Sequence, residues 1–229
     1  MYRLFSMFHI KICGIRHPKE IQAVEISGAD AIGLNFFEPS LRYVDPTSPG
    51  THALSSLAAA AGLLRIGVFV NQTPERIAEV ARQVGLDAVQ LHGDEKVDVA
   101  VAVQAGTGLR VIRAIKLMMG DTHPSEIAAK ADPWVEAGCH LLLDADAGDA
   151  HGGSGKTLYW PSVRAWAQQS PDVVWTLAGG LTPENVAEAI RVSGAKSVDT
   201  ASGVEQPRGV KSESLIQQFV VESRAALLA

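Results

Sequence analysis

One short pattern recurs four times along this chain of 229 residues, and it constrains the fold more than any other feature. Each copy is the end of a helix-like segment, then a glycine, then an apolar run. The glycines are Gly28, Gly85, Gly138 and Gly194, which lie 57, 53 and 56 positions apart. A glycine in this place is typical of a helix C-terminus that leads into a strand. Each interval holds two strand–helix units, so the four copies predict eight units.

Eight apolar runs rich in Ile, Val and Leu are predicted as strands. Amphipathic segments separate them, such as the one that carries Ile77, Val80, Ala81 and Val84 at helical spacing. Regular alternation predicts an all-parallel sheet, and the length is close to the ~250 residues typical of an eight-stranded barrel. We therefore predict an α/β fold, a (β/α)8 TIM barrel. The predicted strands are 8–13, 31–36, 65–70, 87–91, 110–116, 140–144, 173–178 and 196–200.

The domain organisation and two helix starts are also predicted. No linker rich in Pro, Gly or Ser divides the chain, so we predict one domain over residues 1–229, with residues 1–7 as a short N-terminal extension. The segments Thr73–Glu75 and Thr182–Glu184 share the letters Thr-Pro-Glu, 109 residues apart. Each offers Thr as N-cap and Pro at the first helical position. Chance similarity between ordinary helix caps is the alternative explanation for this repeat.

Composition disfavours several classes of partner and location. The chain has 20 Lys and Arg against 25 Asp and Glu, a net charge of −5, and no basic run, which disfavours nucleic-acid binding. The longest apolar stretch, 57–64, is too short to span a bilayer. We expect no signal peptide in residues 1–8, because they contain no uninterrupted apolar stretch. Two cysteines, Cys13 and Cys139, fit a reducing compartment. We expect a cytoplasmic protein without nucleic-acid or membrane partners.

A thiol and a carboxylate end two of the predicted strands. Cys13 ends the first strand and Asp144 follows three leucines at the end of the sixth. The carboxyl ends of barrel strands meet on one rim, where the active sites of such barrels lie. A base and an acid held across a pocket can move a proton within a small substrate. The alternatives are a small buried hydrophobe at Cys13 and an ordinary cap or loop acid at Asp144. Cys139, at the opposite end of its strand, is interpreted as structural.

Two glycine-containing loops predict a phosphate site. Gly179 and Gly180 follow the seventh strand, and Ser202 and Gly203 follow the eighth. Phosphate often binds at these two loops of a barrel, because glycine lets the backbone approach an anion and helix N-termini offer free N–H groups. Ordinary strand–helix turns are the alternative. Together the loops favour a phosphorylated small-molecule substrate.

The segment 150–157 nearly matches the phosphate-binding P-loop of nucleotide hydrolases. The match fails at its first position, where Ala150 replaces glycine. It also fails in context, because a P-loop runs straight into its helix, whereas Pro161 predicts a helix start near Trp160. We favour a mobile glycine-rich flap over the pocket, with nucleotide hydrolysis as the less favoured alternative.

Two further side chains are candidates for ligand contact. Arg42, in the long loop after the second strand, could bind a substrate carboxylate through two parallel hydrogen bonds, although a lone loop arginine is often solvated. His92, which ends the fourth strand, is either a structural histidine or one that faces a ligand. No His, Cys or acidic cluster has the spacing of metal ligands, so we expect no metal.

Nine short segments in a fixed order form a more specific pattern than any one of them alone. With them, the chain from about Phe8 to Val220 resembles the phosphoribosylanthranilate isomerase family of tryptophan biosynthesis. The segments are Lys11–Ile15, Gly28–Gly33, Ser40–Tyr43, Gly67–Asn71, Val89–Gly93, Leu143–Asp144, Gly152–Thr157, Gly179–Leu181, and Asp199 with Ser202–Glu205.

The resemblance implies an Amadori rearrangement of N-(5-phosphoribosyl)anthranilate to 1-(2-carboxyphenylamino)-1-deoxyribulose 5-phosphate, without a cofactor. Asp144 would be the general acid that protonates the ribose ring oxygen, and Cys13 the general base that removes the C2 proton. Apolar surroundings would keep the acid protonated, and a nearby cation would favour the thiolate. Arg42 matches the arginine that holds the anthranilate carboxylate. The other implied contacts are Gln90, His92 and Asp199 to the substrate, and Gly155, Gly179, Gly180, Ser202 and Gly203 to its phosphate.

One departure and two rival functions accompany this resemblance. The chain has Thr200-Ala201 where the family usually has Val-Ser, which removes one hydroxyl near the phosphate. A ribulose-phosphate epimerase is a rival enzyme, but it would be expected to show metal-binding histidines at several strand ends. A catalytically silent barrel that serves as a scaffold would not need the pair of Cys13 and Asp144. The sequence leaves the oligomeric state open between monomer and homodimer.

Overall fold

A computed structural model describes residues 6–118, 122–145 and 157–229. Eight parallel strands follow one another around a closed barrel, and the last pairs with the first, so the predicted (β/α)8 fold is confirmed. Each observed strand lies within two residues of its predicted bounds. The strands are β1 (Ile10–Cys13), β2 (Ala31–Asn35), β3 (Leu64–Phe69), β4 (Ala88–Leu91), β5 (Arg110–Leu117), β6 (His140–Ala145), β7 (Trp175–Leu177) and β8 (Val198–Thr200).

A helix follows every strand of the barrel. Between β8 and its helix lies a short 3-10 turn over Ser202–Val204. No helix among the described residues is long and apolar enough to cross a membrane. The helices are α1 (Pro18–Ser27), α2 (Pro49–Ala60), α3 (Pro74–Val84), α4 (Val97–Thr107), α5 (Pro124–Glu136), α6 (Trp160–Gln169), α7 (Val186–Ser193) and α8 (Glu213–Leu228).

Alternation along the strands divides the apolar residues between two cores. Ile10 and Ile12 of β1 belong to a large core that also contains helix residues, so they face the helices. Lys11 and Cys13, of the opposite parity, therefore point into the barrel. A second, smaller core fills the barrel interior, and its strand residues are Ala31, Ile66, Ala88, Ile112, Ala114 and Leu142.

The N-terminal end of the barrel is closed by a plug of buried side chains that includes Phe8 and His140. Phe8 is buried in the interior core and stacks on the His140 ring, with 5.7 Å between ring centroids. His140 Nε2 lies 2.7 Å from the Thr176 hydroxyl, which in turn lies 2.9 Å from the Ser197 hydroxyl. The sites of this fold lie at the opposite end, at the carboxyl ends of the strands, which is called the open end below.

The recurring glycines have the backbone conformation that the sequence pattern predicts. Gly28, Gly85, Gly138 and Gly194 have φ values of 82°, 73°, 74° and 75°. These left-handed values are typical of residues that end helices. Gly28, Gly85 and Gly194 are C-caps, whereas Gly138 follows the C-cap Ala137.

The two Thr-Pro-Glu segments differ in outcome. Thr73 caps α3, and its hydroxyl accepts a hydrogen bond from Arg76 N at 3.3 Å, as predicted. The prediction that Thr182 is an N-cap is wrong, because α7 begins at Val186 with Asn185 before it. The Asn185 side chain accepts a bond from Thr182 N and donates one to Gly180 O, which holds residues 182–185 as a turn.

Candidate active site

Cys13 ends β1 at the open end of the barrel. In the β1–β2 register it lies opposite Gly33. A side chain at Gly33 would collide with Cys13 Sγ, so this glycine provides the space that the thiol occupies. The thiol is thus held at the inner wall by a small neighbour on the adjacent strand.

A buried ion pair lies below this thiol. Lys11, also inward-facing on β1, is fully buried and donates from Nζ to Asp199 Oδ1 at 2.9 Å. Burial opposes the charge on Lys11, but Asp199 and Cys13 raise its pKa above the ordinary value. Burial also raises the pKa of Cys13; the cations Lys11 and Lys211 oppose that rise, and Asp199 adds to it. The cation that a thiolate needs is therefore present.

Asp144 belongs to a second group, formed by β4 and β6. Its Oδ2 lies 3.2 Å from His92 Nε2, and His92 Nδ1 lies 2.9 Å from Gln90 Nε2. If the Gln90 amide donates to Nδ1, the proton of a neutral imidazole sits on Nε2 and faces Asp144. Gln90 Oε1 is buried and has no hydrogen-bond partner within the described part of the chain. The three predicted site residues therefore form one hydrogen-bonded series.

A buried ion pair that the sequence reasoning missed fixes the loop after β4. Glu95 accepts from Arg113 Nη1 at 2.6 Å, from Gly93 N at 2.9 Å and from Asn71 N at 2.7 Å. The Arg113 guanidinium also lies 4.4 Å from the centre of the Trp134 ring. Since Gly93 directly follows His92, this arrangement holds the histidine in place. Glu95 has no motif around it, and no sequence signal marks it.

Arg42 lies inside the protein and not in solvent, so the solvated alternative is wrong. It is 8% exposed, although it belongs to the loop after β2. Its Nε and Nη2 donate to the two carboxylate oxygens of Glu205, at 2.6 Å and 2.8 Å. The partner is 163 positions away in the sequence, and no sequence pattern predicts its role.

Glu205 has a second cationic partner, Lys211, which no sequence pattern predicts. Lys211 Nζ lies 2.9 Å from Glu205 Oε1 and donates to Ala201 O at 2.7 Å, and Gly209 N donates to Glu205 Oε2 at 2.9 Å. Burial opposes ionisation of Glu205, but Arg42, Lys211 and the Gly209 amide lower its pKa to about 2. Burial lowers the pKa of Lys211, and Glu205 opposes that shift.

The loops after β7 and β8 contact each other. Gly179, with φ of 82°, packs so closely on Asp144 and the Ala145 backbone that no side chain would fit there. Gly203 packs in the same way against the backbone of Leu181. Thr200, at the position where the sequence departs from the resemblance, donates from its hydroxyl to Leu181 O at 2.8 Å. The departure at position 200 therefore adds a hydrogen bond between the two loops.

The remaining predicted site residues are placed as follows. Gly180 lies in the β7 loop, and Ser202 begins the 3-10 turn after β8, beside Gly203. Gly155 and residues 150–156 of the P-loop-like segment lie outside the described residues, whereas α6 begins at Trp160 as predicted. Among the described residues, no three His, Cys, Asp or Glu side chains form a group that could hold a metal ion.

The arrangement supports proton transfer on a phosphorylated anion. A thiol beside a cation and a carboxylate beside an imidazole end strands of the same barrel, at the same end. The glycine loops after β7 and β8 lie at that end too, and Arg42 carries a charge suited to a carboxylate.

Comparison with known proteins gives consistent matches. The model of the family described as N-(5'phosphoribosyl)anthranilate (PRA) isomerase matches residues 10–222. The N-(5'-phosphoribosyl)anthranilate isomerase of Rhodospirillum rubrum is 38% identical over 216 residues, which cover 92% of this chain and 95% of that protein. The enzyme of Myxococcus xanthus is 38% identical over 213 residues, covering 92% and 93%.

Solved structures match along almost the whole chain. The phosphoribosyl anthranilate isomerase of Thermotoga maritima has a TM-score of 0.82 at 31% identity, covering 96% of this chain and 100% of that one. Another structure of such an isomerase, in complex with reduced 1-(o-carboxyphenylamino)-1-deoxyribulose 5-phosphate, has a TM-score of 0.77 at 30% identity with the same coverage.

Proposed function

The chain belongs to the N-(5'-phosphoribosyl)anthranilate isomerase family, and from this premise we propose that Asp144 and Cys13 are the acid and the base of its reaction. The chain is an isomerase of tryptophan biosynthesis. It converts N-(5-phosphoribosyl)anthranilate into 1-(2-carboxyphenylamino)-1-deoxyribulose 5-phosphate, as the resemblance implied. The epimerase and scaffold alternatives are set aside. The observation that carries the assignment of roles is the position of the two groups at the same open end of the barrel, on β1 and β6.

Asp144 acts first, as the general acid. It protonates the ribose ring oxygen, the ring C–O bond breaks, and the nitrogen lone pair forms a Schiff base with C1. His92, 3.2 Å from Asp144 Oδ2, is in position to return a proton to the carboxylate for the next turnover. The close packing of Gly179 against Asp144 supports this role, because it keeps the carboxylate in one place.

Cys13 acts second, as the general base. Its thiolate removes the proton from C2, and the electrons of that C–H bond form the C1–C2 double bond of an enolamine. The enolamine gains a proton at C1 and loses one from its 2-hydroxyl, so that the product is an isomer of the substrate. Lys11 supports this step, because a buried cation favours the charged thiolate over the thiol.

The rest of the proposed site binds the two ends of the substrate. Arg42 holds the anthranilate carboxylate, and Gln90, His92 and Asp199 contact the central part of the substrate. The loops that carry Gly179, Gly180, Ser202 and Gly203 hold the phosphate through backbone N–H groups, and we assign Gly155 to the same role. We further propose a single domain, a cytoplasmic location and a monomeric or homodimeric state; the two free cysteines, Cys13 and Cys139, fit a reducing compartment.

An assay of anthranilate fluorescence tests the function directly. N-(5-phosphoribosyl)anthranilate, generated from anthranilate and phosphoribosyl pyrophosphate, should lose its fluorescence when the chain is added. The Asp144→Asn variant, checked for native folding by circular dichroism, should accelerate this loss far less than the native chain does. A folded native chain that leaves the fluorescence unchanged would contradict the function, and a folded variant with native turnover would contradict the role of Asp144.

A further inference from the structure

The guanidinium of Arg42 is used on one edge only. Its Nε and Nη2 form two parallel bonds with Glu205, at 2.6 Å and 2.8 Å. A planar guanidinium has a second edge, formed by Nη1 and the other proton of Nη2, which can grip a further carboxylate in the same bidentate way. Within the part of the chain that the structure describes, Nη1 has no protein partner. Glu205 therefore fixes the plane of the guanidinium and leaves its outer edge available.

The charges around this pair leave one positive charge in excess. Glu205 carries one negative charge between Arg42 and Lys211, and the side chains of Glu205 and Lys211 are each 1% exposed. If Lys211 were absent, Glu205 would cancel the charge of Arg42 and weaken its attraction for an anion. With Lys211 present, the group keeps a net charge of +1, which one substrate carboxylate would neutralise.

The same residues connect Arg42 with the loop after β8. Lys211 donates to Ala201 O, directly before Ser202 and Gly203 in the phosphate loop. Glu205 follows that loop directly, and its backbone pairs with Lys211 in an isolated bridge. The segment 205–211 thus joins the side chain proposed for the aryl carboxylate to the loop proposed for the phosphate.

We propose that Glu205 is a positioning residue of this isomerase: it aims the outer edge of Arg42 at the anthranilate carboxylate, and Lys211 supplies the charge that keeps that edge attractive. This inference rests on the function proposed above. It gives the enzyme a means of selecting substrates with a carboxylate at the aryl end, because only a correctly oriented planar anion forms two bonds with a fixed guanidinium.

A purely electrostatic role for Glu205 predicts the opposite sign. Glu205→Gln removes a negative charge and makes the group more positive, so charge alone would strengthen the binding of an anionic substrate. Positioning predicts weaker binding, because a Gln side chain replaces one carboxylate oxygen with an NH2 donor and cannot form the two parallel bonds with Nε and Nη2 of Arg42. The direction of the change in KM therefore separates the two roles.

The test is steady-state kinetics of the full chain with Glu205→Gln. We expect KM to rise roughly ten- to hundredfold, the amount a charged hydrogen bond contributes, with a much smaller change in kcat. Inhibition by ribulose 5-phosphate, which lacks the aryl carboxylate, should stay unchanged. In an Arg42→Ala background, Glu205→Gln should add nothing further to KM, because there is no guanidinium left to position.

Asp87→Asn provides a matched control. Asp87 forms the same forked pair with Arg65, at 2.7 Å and 2.8 Å, just before β4 at the closed end of the barrel. Breaking this pair should leave KM unchanged. The control therefore shows whether a rise in KM follows from the loss of any bidentate arginine–carboxylate pair or only from the loss of the pair on Arg42.

A double variant guards against misfolding, since Glu205→Gln leaves two cations without their anion. Glu205→Gln with Lys211→Met removes one charge of each sign and keeps the net charge of +1. Positioning predicts the same rise in KM, whereas charge alone predicts none. An unchanged or lower KM in either folded variant would overturn the inference. An inactive native chain would instead overturn the proposed function, so the two failures are distinguishable.

Discussion

The two ends of the barrel each carry a buried cysteine, and the surroundings of the two thiols differ. Cys13, at the open end, and Cys139, at the closed end, are both 8% exposed. Burial raises the pKa of Cys139 to about 11, and the charge of Arg113 opposes that rise. Burial also raises the pKa of Cys13, but Lys11 and Lys211 oppose that rise. Two cations therefore favour the thiolate at Cys13, whereas one favours it at Cys139, and this difference in charge distinguishes the thiols at the two ends.

The histidines repeat this contrast. His92, at the open end, is partly exposed and lies beside a carboxylate. His140, at the closed end, is 7% exposed beside Phe8 and Thr176, and burial, together with the charge of Arg110, lowers its pKa to about 4. Each end of the barrel carries a cysteine and a histidine, so the charges that face these side chains decide how reactive they are. Substitutions at the open end should change turnover, and those at the closed end should change stability.

The largest expected effect is that of Asp144→Asn. An amide cannot give a proton to the ring oxygen, so turnover should fall by the ~10²–10⁴-fold that general acid catalysis contributes. The variant should keep its fold and still bind the product, because Asn retains the size of Asp. Stopped-flow fluorescence and product titration measure the two quantities. Loss of product binding together with activity would make Asp144 a structural residue.

The two cysteines give the sharpest test of the comparison. Cys13→Ser should lower turnover about 10²-fold, because a hydroxyl is a far poorer base than a thiolate. Cys139→Ser should keep native turnover, since its thiol packs between the barrel and the helices. Parallel assays of the two variants at one substrate concentration measure the difference. Comparable activity in both would remove Cys13 from the mechanism.

The fold could be predicted because its signals are local. The glycines after four helices and the apolar strands between them lie within a few residues of one another, and their spacing sets the number of units. The alternation Ile10, Lys11, Ile12, Cys13 even places the lysine on the inner face with the cysteine. The wrong prediction of a cap at Thr182 also has a local cause, because the Asn185 side chain accepts from Thr182 N and donates to Gly180 O and so holds these residues as a turn.

The supports of the site could not be predicted, because their partners are distant in sequence. Arg42 and Glu205 are 163 positions apart, and Lys11 and Asp199 are 188 apart. Each of these side chains has a polar partner only once the barrel closes. Lys211 and Glu95 lie outside every motif, so burial in the folded protein is the observation that reveals them.

A smaller effect is expected for Lys11→Met, measured on the thiol itself. Removing the cation, and leaving Asp199 unbalanced, should raise the pKa of Cys13 further, since both changes disfavour the thiolate. In a Cys139→Ser background, the pH profile of alkylation by iodoacetamide should therefore move to higher pH. The low-pH limb of the pH dependence of turnover should also move to higher pH.

Lys11→Met with Asp199→Asn is the control for this prediction. The double variant removes the cation and also the anion that raises the pKa of Cys13, so its alkylation profile should move less than that of Lys11→Met alone. Identical profiles in native protein and Lys11→Met would show that the buried pair does not act on the thiol.

The smallest effect on turnover is expected at the closed end, for His140→Gln. The pKa of His140 is lowered from 6.5 to about 4 in the folded protein, so between these values the unfolded chain binds more protons. The free energy of unfolding should therefore fall as the pH drops from 6.5 to 4, by about 3 kcal/mol at most. Glutamine does not titrate, so the free energy of unfolding of the variant, measured with urea, should lack this decrease between pH 6.5 and 4. Turnover at pH 7 should stay native. A variant that keeps the full pH dependence of the unfolding free energy would contradict the assignment of that dependence to His140. A folded variant that loses activity would show that the plug at the closed end affects the chemistry at the open end, so that the two ends are not separate in function.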